Sequence, residues 1–550
     1  MFRNICVLQS KKDFEIISKT NDFETCIFLP LNLETYLICK KKYLKIINFN
    51  SLLNNKFHKD ALTISLNFSK LIKFNSKFNF SFKSEIISFL RHRLYCVIFL
   101  IEVLERSKKY YNFKKILVSG IEDGNNIASK IIYNIYKKQT VRISSRSKNK
   151  FKDKIYSYVL DQRLETKNNN ILLSNLGYNF DKISKSFFKR KYNIYVPNFE
   201  KIGLLKKLLF FKKRIKILNF SKNKKIQIKK KKFIKKINFT YKKKFNISKL
   251  MNLFFLDYEF YFNDLYQRIL SLKNTISQNN FDLLVSNICR GLEGSILDND
   301  INTKSLCIPH GIISKSYNKY DKIYKKYIAD AVFSGESNYF SIQSKIMKDS
   351  LKTHKISGKK LFTGNLIFST KEKTNKKKYF LFAPTVKNFY NIQYLGVETF
   401  YEFWDNLNVL DEIAYNEKIK IVVKLHPNVH HCIADIKKYF KNLTFSNTKI
   451  QNLLTDSIAL LSYSSAAIED ALNSEIPVIL LDLKKRYKQI NISSNSKNKN
   501  EAVYYTSDKD KLVSIMKKIP KLKNLDFSKY VLSQNIEKNF EKVLSIIKKN

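Results

Sequence analysis

The feature that most constrains the fold lies between residues 379 and 482, where short apolar runs alternate with helical patterns. "YFLFAPT" (379–385), "KIVVKL" (420–425), "SIALLSY" (457–463) and "IPVILLD" (476–482) have strand length and strand composition. Segments 397–416, 431–440, "IQNLLTD" (450–456) and "AAIEDALNS" (466–474) fall between them at helical spacing. The apolar runs show no polar alternation, so each strand is expected to be covered on both faces, as in a parallel sheet flanked by helices. The expectation is a doubly wound α/β unit.

Weaker units of the same kind precede it. "KILVSG", a turn "IEDGNN", "IASKIIYNIYKK" and "TVRI" read as strand, loop, helix and strand over 115–143. A second unit runs from "FDLLVSN" (281–287) to "SLCIPHGI" (305–312), and 326–337 and 359–365 read as two short strands ending at Gly335 and Gly364. The polar stretch 369–378 marks a boundary. The expected division is an N-terminal Rossmann-like domain over 1–365 with a basic insertion at about 201–250, a C-terminal Rossmann-like domain over 366–530, and a C-terminal helix over 531–550.

A chain of 550 residues has ample length for two or three cores. Its formal charge of +56 points toward an anionic partner, but lysine also fills ordinary solvated positions throughout this composition. One segment is different. Between Lys206 and Lys244 there are 18 Lys or Arg and no acid, interleaved with Leu, Ile and Phe. It reads as a solvated linker, as a surface for an anionic membrane, or as a nucleic-acid contact. The seven cysteines form no C-x-x-C pair, which argues against a disulfide framework or zinc site and for a reducing compartment. With no signal-like start and no apolar run of membrane-spanning length, a cytoplasmic location is expected, with peripheral attachment to the inner membrane face through the basic segment.

In open parallel sheets, ligands bind at the carboxyl ends of the strands. His426 follows one such end directly, and Pro427 stops the ladder behind it. Ser464 and Ser465 follow another and open a helix, where free N–H groups and hydroxyls suit an anion. Taken singly, the serines read as a helix cap and the histidine as a turn residue. Their joint placement on successive β–α units favours a phosphate clamp.

These residues carry a resemblance. "VVKLHPN" followed by "LLTDSIALLSYSSAAIEDALNSEIPVILLD" resembles the donor-binding domain of GT-B glycosyltransferases, in the group of bacterial sialyltransferases, capsule and lipopolysaccharide transferases and CDP-glycerol glycerophosphotransferases. The resemblance implies two Rossmann-like domains facing a cleft, with His426, Pro427, Ser464 and Ser465 holding the nucleotide of the donor. Glu469, Gly311 and Thr385 are further donor-side candidates, and "IPHGI" (308–312) resembles the cleft-facing strand end of the first domain. The family's acid-acid-Gly motif has a counterpart at Glu122-Asp123-Gly124, so Asp123, Glu122 or His310 is expected as the base for an acceptor hydroxyl. Arg290, Glu293 and Lys315 flank the expected cleft, and Asp298-Asn299-Asp300 reads as a surface turn.

The implied activity is transfer of a sugar from a nucleotide-activated donor, a CMP-sugar being favoured, to a cell-surface glycan or lipid-linked acceptor, with no cofactor and no metal. A polyol-phosphate transferase using CDP-glycerol is the neighbouring alternative. From another class, the chain could be a basic nucleic-acid binder on a Rossmann scaffold, but its one acid-free run is a single insertion rather than a binding face.

Overall fold

The structure is a computed structural model; it describes residues 4–74, 77–120, 126–143, 169–175, 180–199, 210, 212–220, 240–242, 245–311, 313–332, 335–354, 356, 358–370, 378–391, 394–490, 492 and 500–548. Three wholly parallel sheets organise the chain. The first has four strands (Asn4–Leu8, Cys26–Pro30, Lys115–Ser119, Thr140–Ile143) in spatial order 2-1-3-4. The second has seven (Asn170–Leu173, Asn193–Pro197, Ile215–Leu218, Leu283–Ser286, Ser305–Cys307, Tyr339–Ser341, Lys359–Leu361) in order 3-2-1-4-5-6-7. The third has six (Tyr379–Phe382, Ile421–Lys424, Thr444–Ser446, Ser457–Ser462, Val478–Leu481, Val503–Thr506) in order 3-2-1-4-5-6. The class is α/β with Rossmann-like parallel sheets, as expected. In each sheet the winding direction reverses once, beside its first strand, and the carboxyl edge at such a reversal is where open parallel sheets bind ligands.

The strand period of two explains how the sheets share cores. In the six-stranded sheet Phe380, Phe382, Val423 and Leu461 face a core that also holds Ile5, Val7, Ile27 and Leu29 of the four-stranded sheet. Their neighbours Leu381, Val422, Leu460 and Leu480 face the opposite core, shared with Leu172, Leu284 and Phe340 of the seven-stranded sheet. The six-stranded sheet therefore lies between the other two. The helix Phe80–Tyr111 fills the first of these cores, and its residues 94–101 are fully buried on every side. Burial all round accounts for the long apolar run "LYCVIFLIEVL". Among the described residues no helix is long and apolar enough to cross a membrane.

Three findings differ from the sequence reading. The four-stranded sheet is additional to the two sheets expected, and the 115–143 unit belongs to it. The segment read as a strand from 326 is part of a helix, Lys319–Val332. Its Tyr320, Tyr324 and Tyr327 recur at helical spacing on a buried face, and Asp321 pairs with Lys325 one turn on at 2.9 Å, both carrying almost no exposed side chain. Asp298 is no surface residue either. It is buried, bonded by Ser81 Oγ at 2.7 Å and paired with Lys273 at 2.8 Å, which pins the start of the long helix to the helix Glu259–Ser277. Most of the basic run 206–244 lies outside the described residues; within it, Ile215–Leu218 forms the edge strand of the seven-stranded sheet.

The C-terminal helix Ile536–Lys548 returns to the seven-stranded sheet, where Phe540 meets Phe187 edge-on at 4.7 Å and the Asn539 amide donates to the Asn365 carbonyl at 2.9 Å.

Candidate functional site

In the six-stranded sheet, Tyr379–Phe382 is the strand at the reversal, with Ile421–Lys424 on one side and Ser457–Ser462 on the other. His426 and Ser464 thus stand at the carboxyl edge on either side of one strand, and the loop after that strand enters between them. His426 is half-buried, and its Nδ1 accepts from the Asn428 backbone N–H at 3.3 Å. An accepting Nδ1 places the proton of the neutral ring on Nε2, as a donor. Burial holds the ring's pKa below the usual histidine value; Glu398 pulls it upward, while Lys424, His430 and Lys387 push it down. Pro427 is exposed and opens the short turn that follows, and Thr385 is half-buried in the loop after the central strand.

The two serines differ. Ser465 Oγ accepts from the Ala467 N–H at 3.2 Å, the local bond of a helix start, and its own proton is not used there. Ser464 Oγ instead donates to Glu398 Oε2 at 2.5 Å. The helix they open, Ala467–Asn473, has only seven residues.

Sequence reasoning did not single out Glu398 or its partner Lys387. The Lys387 Nζ lies 3.0 Å from Glu398 Oε2 and donates to the Tyr324 hydroxyl at 2.9 Å, with both side chains of the ion pair more than nine-tenths buried. Burial alone would lower the Lys387 pKa, but the adjoining Tyr324 and Glu398 raise it overall, so the ammonium stays charged. Glu398 adopts a left-handed backbone at φ 55°, unusual for a residue with a side chain. Two residues before it, Gly396 at φ 73° lies so close to His58 and Tyr95 that a Cβ would collide with both. "LGVET" is the signal that was available: a glycine forced by close packing, next to a charged residue.

The facing element belongs to the seven-stranded sheet. His310 ends the loop after Ser305–Cys307, half-buried, and its Nδ1 donates to the Asn287 carbonyl at 3.4 Å. This bond requires Nδ1–H, so the neutral ring keeps its lone pair on Nε2. Burial lowers its pKa, the Asn287 bond opposes this, and Arg290 adds to the lowering. The reversal point of this sheet lies between Asn170–Leu173 and Leu283–Ser286. Ser174 and Asn287 follow these two strands, and the Ser174 hydroxyl and the Asn287 side-chain oxygen are both buried without a hydrogen-bond partner. The chain after His310 leads to the helix Lys319–Val332 that carries Tyr324, so the Lys387–Tyr324 bond joins the carboxyl-edge loop of the six-stranded sheet to that helix.

Other candidates are placed as follows. Gly311 is half-buried beside open space, with no atom within 4 Å of where a Cβ would stand. Glu469 is buried in the wall between the two larger sheets, close to Ser344; burial pushes its carboxyl up to about 8, against the lowering effect of the Ser344 hydrogen bond. Glu122, Asp123 and Gly124 lie outside the described residues; the strand leading to them belongs to the four-stranded sheet, a different sheet from that of His310. Arg290 lies 3.8 Å from Glu85, Glu293 is half-buried, and Lys315 is exposed. A groove of about 750 Å³ opens at the opposite, amino-terminal edge of the seven-stranded sheet, lined by Asp282, Asn302, Glu336, Asn338 and Lys359 among others, away from these side chains. Among the described residues no group of three or more His, Cys, Asp or Glu is set to hold a metal ion.

No family model matches the chain, and no curated protein does. Among solved structures, the UDP-GlcNAc 2-epimerase of Methanocaldococcus jannaschii in complex with UDP-GlcNAc and UDP is 12% identical over 68% of this chain and 99% of its own, with a TM-score of 0.42. TarM of S. aureus is 14% identical over 70% of this chain and 97% of its own, at 0.37. The wall teichoic acid polymerase TagF is 11% identical over 69% and 88%, at 0.36. These are partial likenesses, and the reading of the site rests on its own residues.

Proposed function

We propose that this chain is a GT-B-type glycosyltransferase, built from an N-terminal part up to residue 365 and a donor-binding part over 366–530. In this reading the crevice at His426, Pro427, Ser464 and Ser465 takes a nucleotide-activated sugar, a CMP-sugar being favoured. The acceptor is a hydroxyl of a surface glycan or lipid-linked saccharide. The observation that carries the reading is the pair of neutral donors, His426 Nε2–H and the Ser465 hydroxyl, on either side of the strand at the reversal point of a 3-2-1-4-5-6 sheet.

The chemistry then divides between two edges. The acceptor oxygen attacks the anomeric carbon, the bond from that carbon to the phosphate oxygen breaks, and the hydroxyl proton passes to a base. His310 suits that role through the lone pair on Nε2, with Asp123 and Glu122 as the other candidates. The departing phosphate gathers charge, which donors already in place stabilise without reorganising. The segment Lys206–Lys244 would hold the enzyme at the anionic inner face of a membrane, beside its acceptor.

The test is thermal stabilisation by CMP, CDP, UDP and GDP, for the wild type, His426→Ala and the Ser464→Ala/Ser465→Ala double variant. One nucleotide should stabilise the wild type and neither variant, and its base names the donor class. No shift with any nucleotide removes the reading. Loss of co-sedimentation with anionic vesicles on replacing the lysines of 222–236 by glutamine, with the edge strand Ile215–Leu218 left in place, tests the membrane role separately.

A further inference from the structure

The hydroxyl of a serine has one proton, and in Ser464 that proton is committed to a carboxylate. Toward any ligand Ser464 therefore presents lone pairs alone, and of the serine pair only Ser465 keeps a proton to give. The carboxylate responsible is itself held from three sides: by the Lys387 ammonium, by a backbone bond from the Lys387 N–H to the Glu398 carbonyl at 3.0 Å, and by the tight passage of Gly396 under His58 and Tyr95. Its second oxygen, Oε1, is buried and has no hydrogen-bond partner. A charged group in a left-handed backbone with an unsatisfied buried oxygen is costly, and such costs gather at sites where geometry is set for a ligand.

We infer that Glu398 is a positioning residue of this site: its carboxylate turns Ser464 into an acceptor, sets a negative charge beside His426, and through Lys387 and Tyr324 ties the crevice of the six-stranded sheet to the helix that follows His310. The inference rests on the nucleotide-site reading above and names which groups of that site give protons and which receive them. His426 and Ser465 meet the anionic part of the ligand. Ser464 faces a part that carries hydroxyl or amino protons, because an oxygen left with lone pairs alone beside a carboxylate repels phosphate oxygens. The Lys387 charge offsets that of Glu398, so the crevice does not repel an anion as a whole.

Two measurements test this, one of which needs no nucleotide. Histidine ring spectra are titrated for the wild type and Glu398→Gln, with the His426 signal identified by its loss in His426→Ala. The titratable groups acting on His426 are Glu398, Lys424, His430 and Lys387, and Glu398 is the one that raises its pKa. The midpoint should fall to lower pH in Glu398→Gln; an unchanged midpoint overturns the inference. The second compares single variants in nucleotide stabilisation and leaves Glu398 in place, so it holds even if Glu398→Gln fails to fold. Ser465→Ala should abolish the stabilisation and Ser464→Ala should retain most of it, whereas equal loss in both overturns the division of roles. If no nucleotide stabilises the wild type, the transferase reading fails by itself, and the histidine midpoint still decides whether Glu398 governs His426.

Discussion

The two larger sheets each present a histidine at the carboxyl edge, and the two rings are held in opposite tautomers. His310 gives its Nδ1 proton to the Asn287 carbonyl and keeps a lone pair on Nε2. His426 takes a backbone proton on Nδ1 and keeps a donor on Nε2. Their surroundings differ in the same sense. The His426 edge carries an ion pair and a committed serine, whereas the His310 edge carries the unpaired oxygens of Ser174 and Asn287. A ring nitrogen's role is thus fixed by the bond its other nitrogen makes, so one ring is left with an acceptor nitrogen and the other with a donor.

The sharpest way to break this comparison is at His310. His310→Asn removes the lone pair, and turnover with an activated sugar should fall by about 10²- to 10⁴-fold with nucleotide affinity unchanged. Loss of affinity instead would place His310 on the donor side. In the wild type, turnover should also fall on the acid side of the profile. Protonating His310 removes the lone pair, and burial displaces this limb below the usual histidine range. Next in size is the ion pair. Lys387→Met leaves a buried carboxylate unpaired and should cost about 3–5 kcal/mol in denaturant unfolding, most of it recovered in the Lys387→Met/Glu398→Gln double variant. If the single and double variants are equally unstable, the pair is not what holds that loop.

A nucleotide at about 100 times its dissociation constant should stabilise the wild type by about 2.7 kcal/mol, and His426→Ala should lose that shift while keeping its unliganded melting temperature. A last prediction concerns Glu469. Its folded pKa of about 8 exceeds the unfolded value, so the protonated form is favoured in the native state. That contribution is complete below pH 4.5 and declines as pH rises toward 8, at about 1.4 kcal/mol per pH unit. Glu469→Gln should flatten the pH dependence of stability over this range; an unchanged slope means that the carboxyl ionises freely in the folded protein.

The parts legible in the sequence are those whose cause is local. The strands around 379–482 announce themselves because burial on both faces demands continuous apolar runs, and His426 and Ser464 are visible because each follows such a run directly. The helix Lys319–Val332 is not legible locally, because "IADAV" looks extended unless its buried tyrosine face is recognised as one stripe. Asn4–Leu8 and Cys26–Pro30 are brief, and their sheet is completed only by a strand from 115. Glu398 depends on distance in the chain as well: it is 66 residues from the serine it binds, and only the sheet order brings them together.

The return of the C-terminal helix to the seven-stranded sheet has a consequence for how the protein is made. The outer face of that sheet, with Leu173, Val285 and Leu306, is covered in part by Phe540, Val543 and Leu544. The ribosome must therefore synthesise the whole six-stranded unit before this cover exists. At ordinary translation speeds that interval lasts about ten to forty seconds, during which an apolar sheet face waits uncovered. Stop codons placed shortly before residue 536 should thus yield a chain with every strand present that nonetheless engages chaperones or aggregates, and supplying the missing helix as a separate peptide should relieve it.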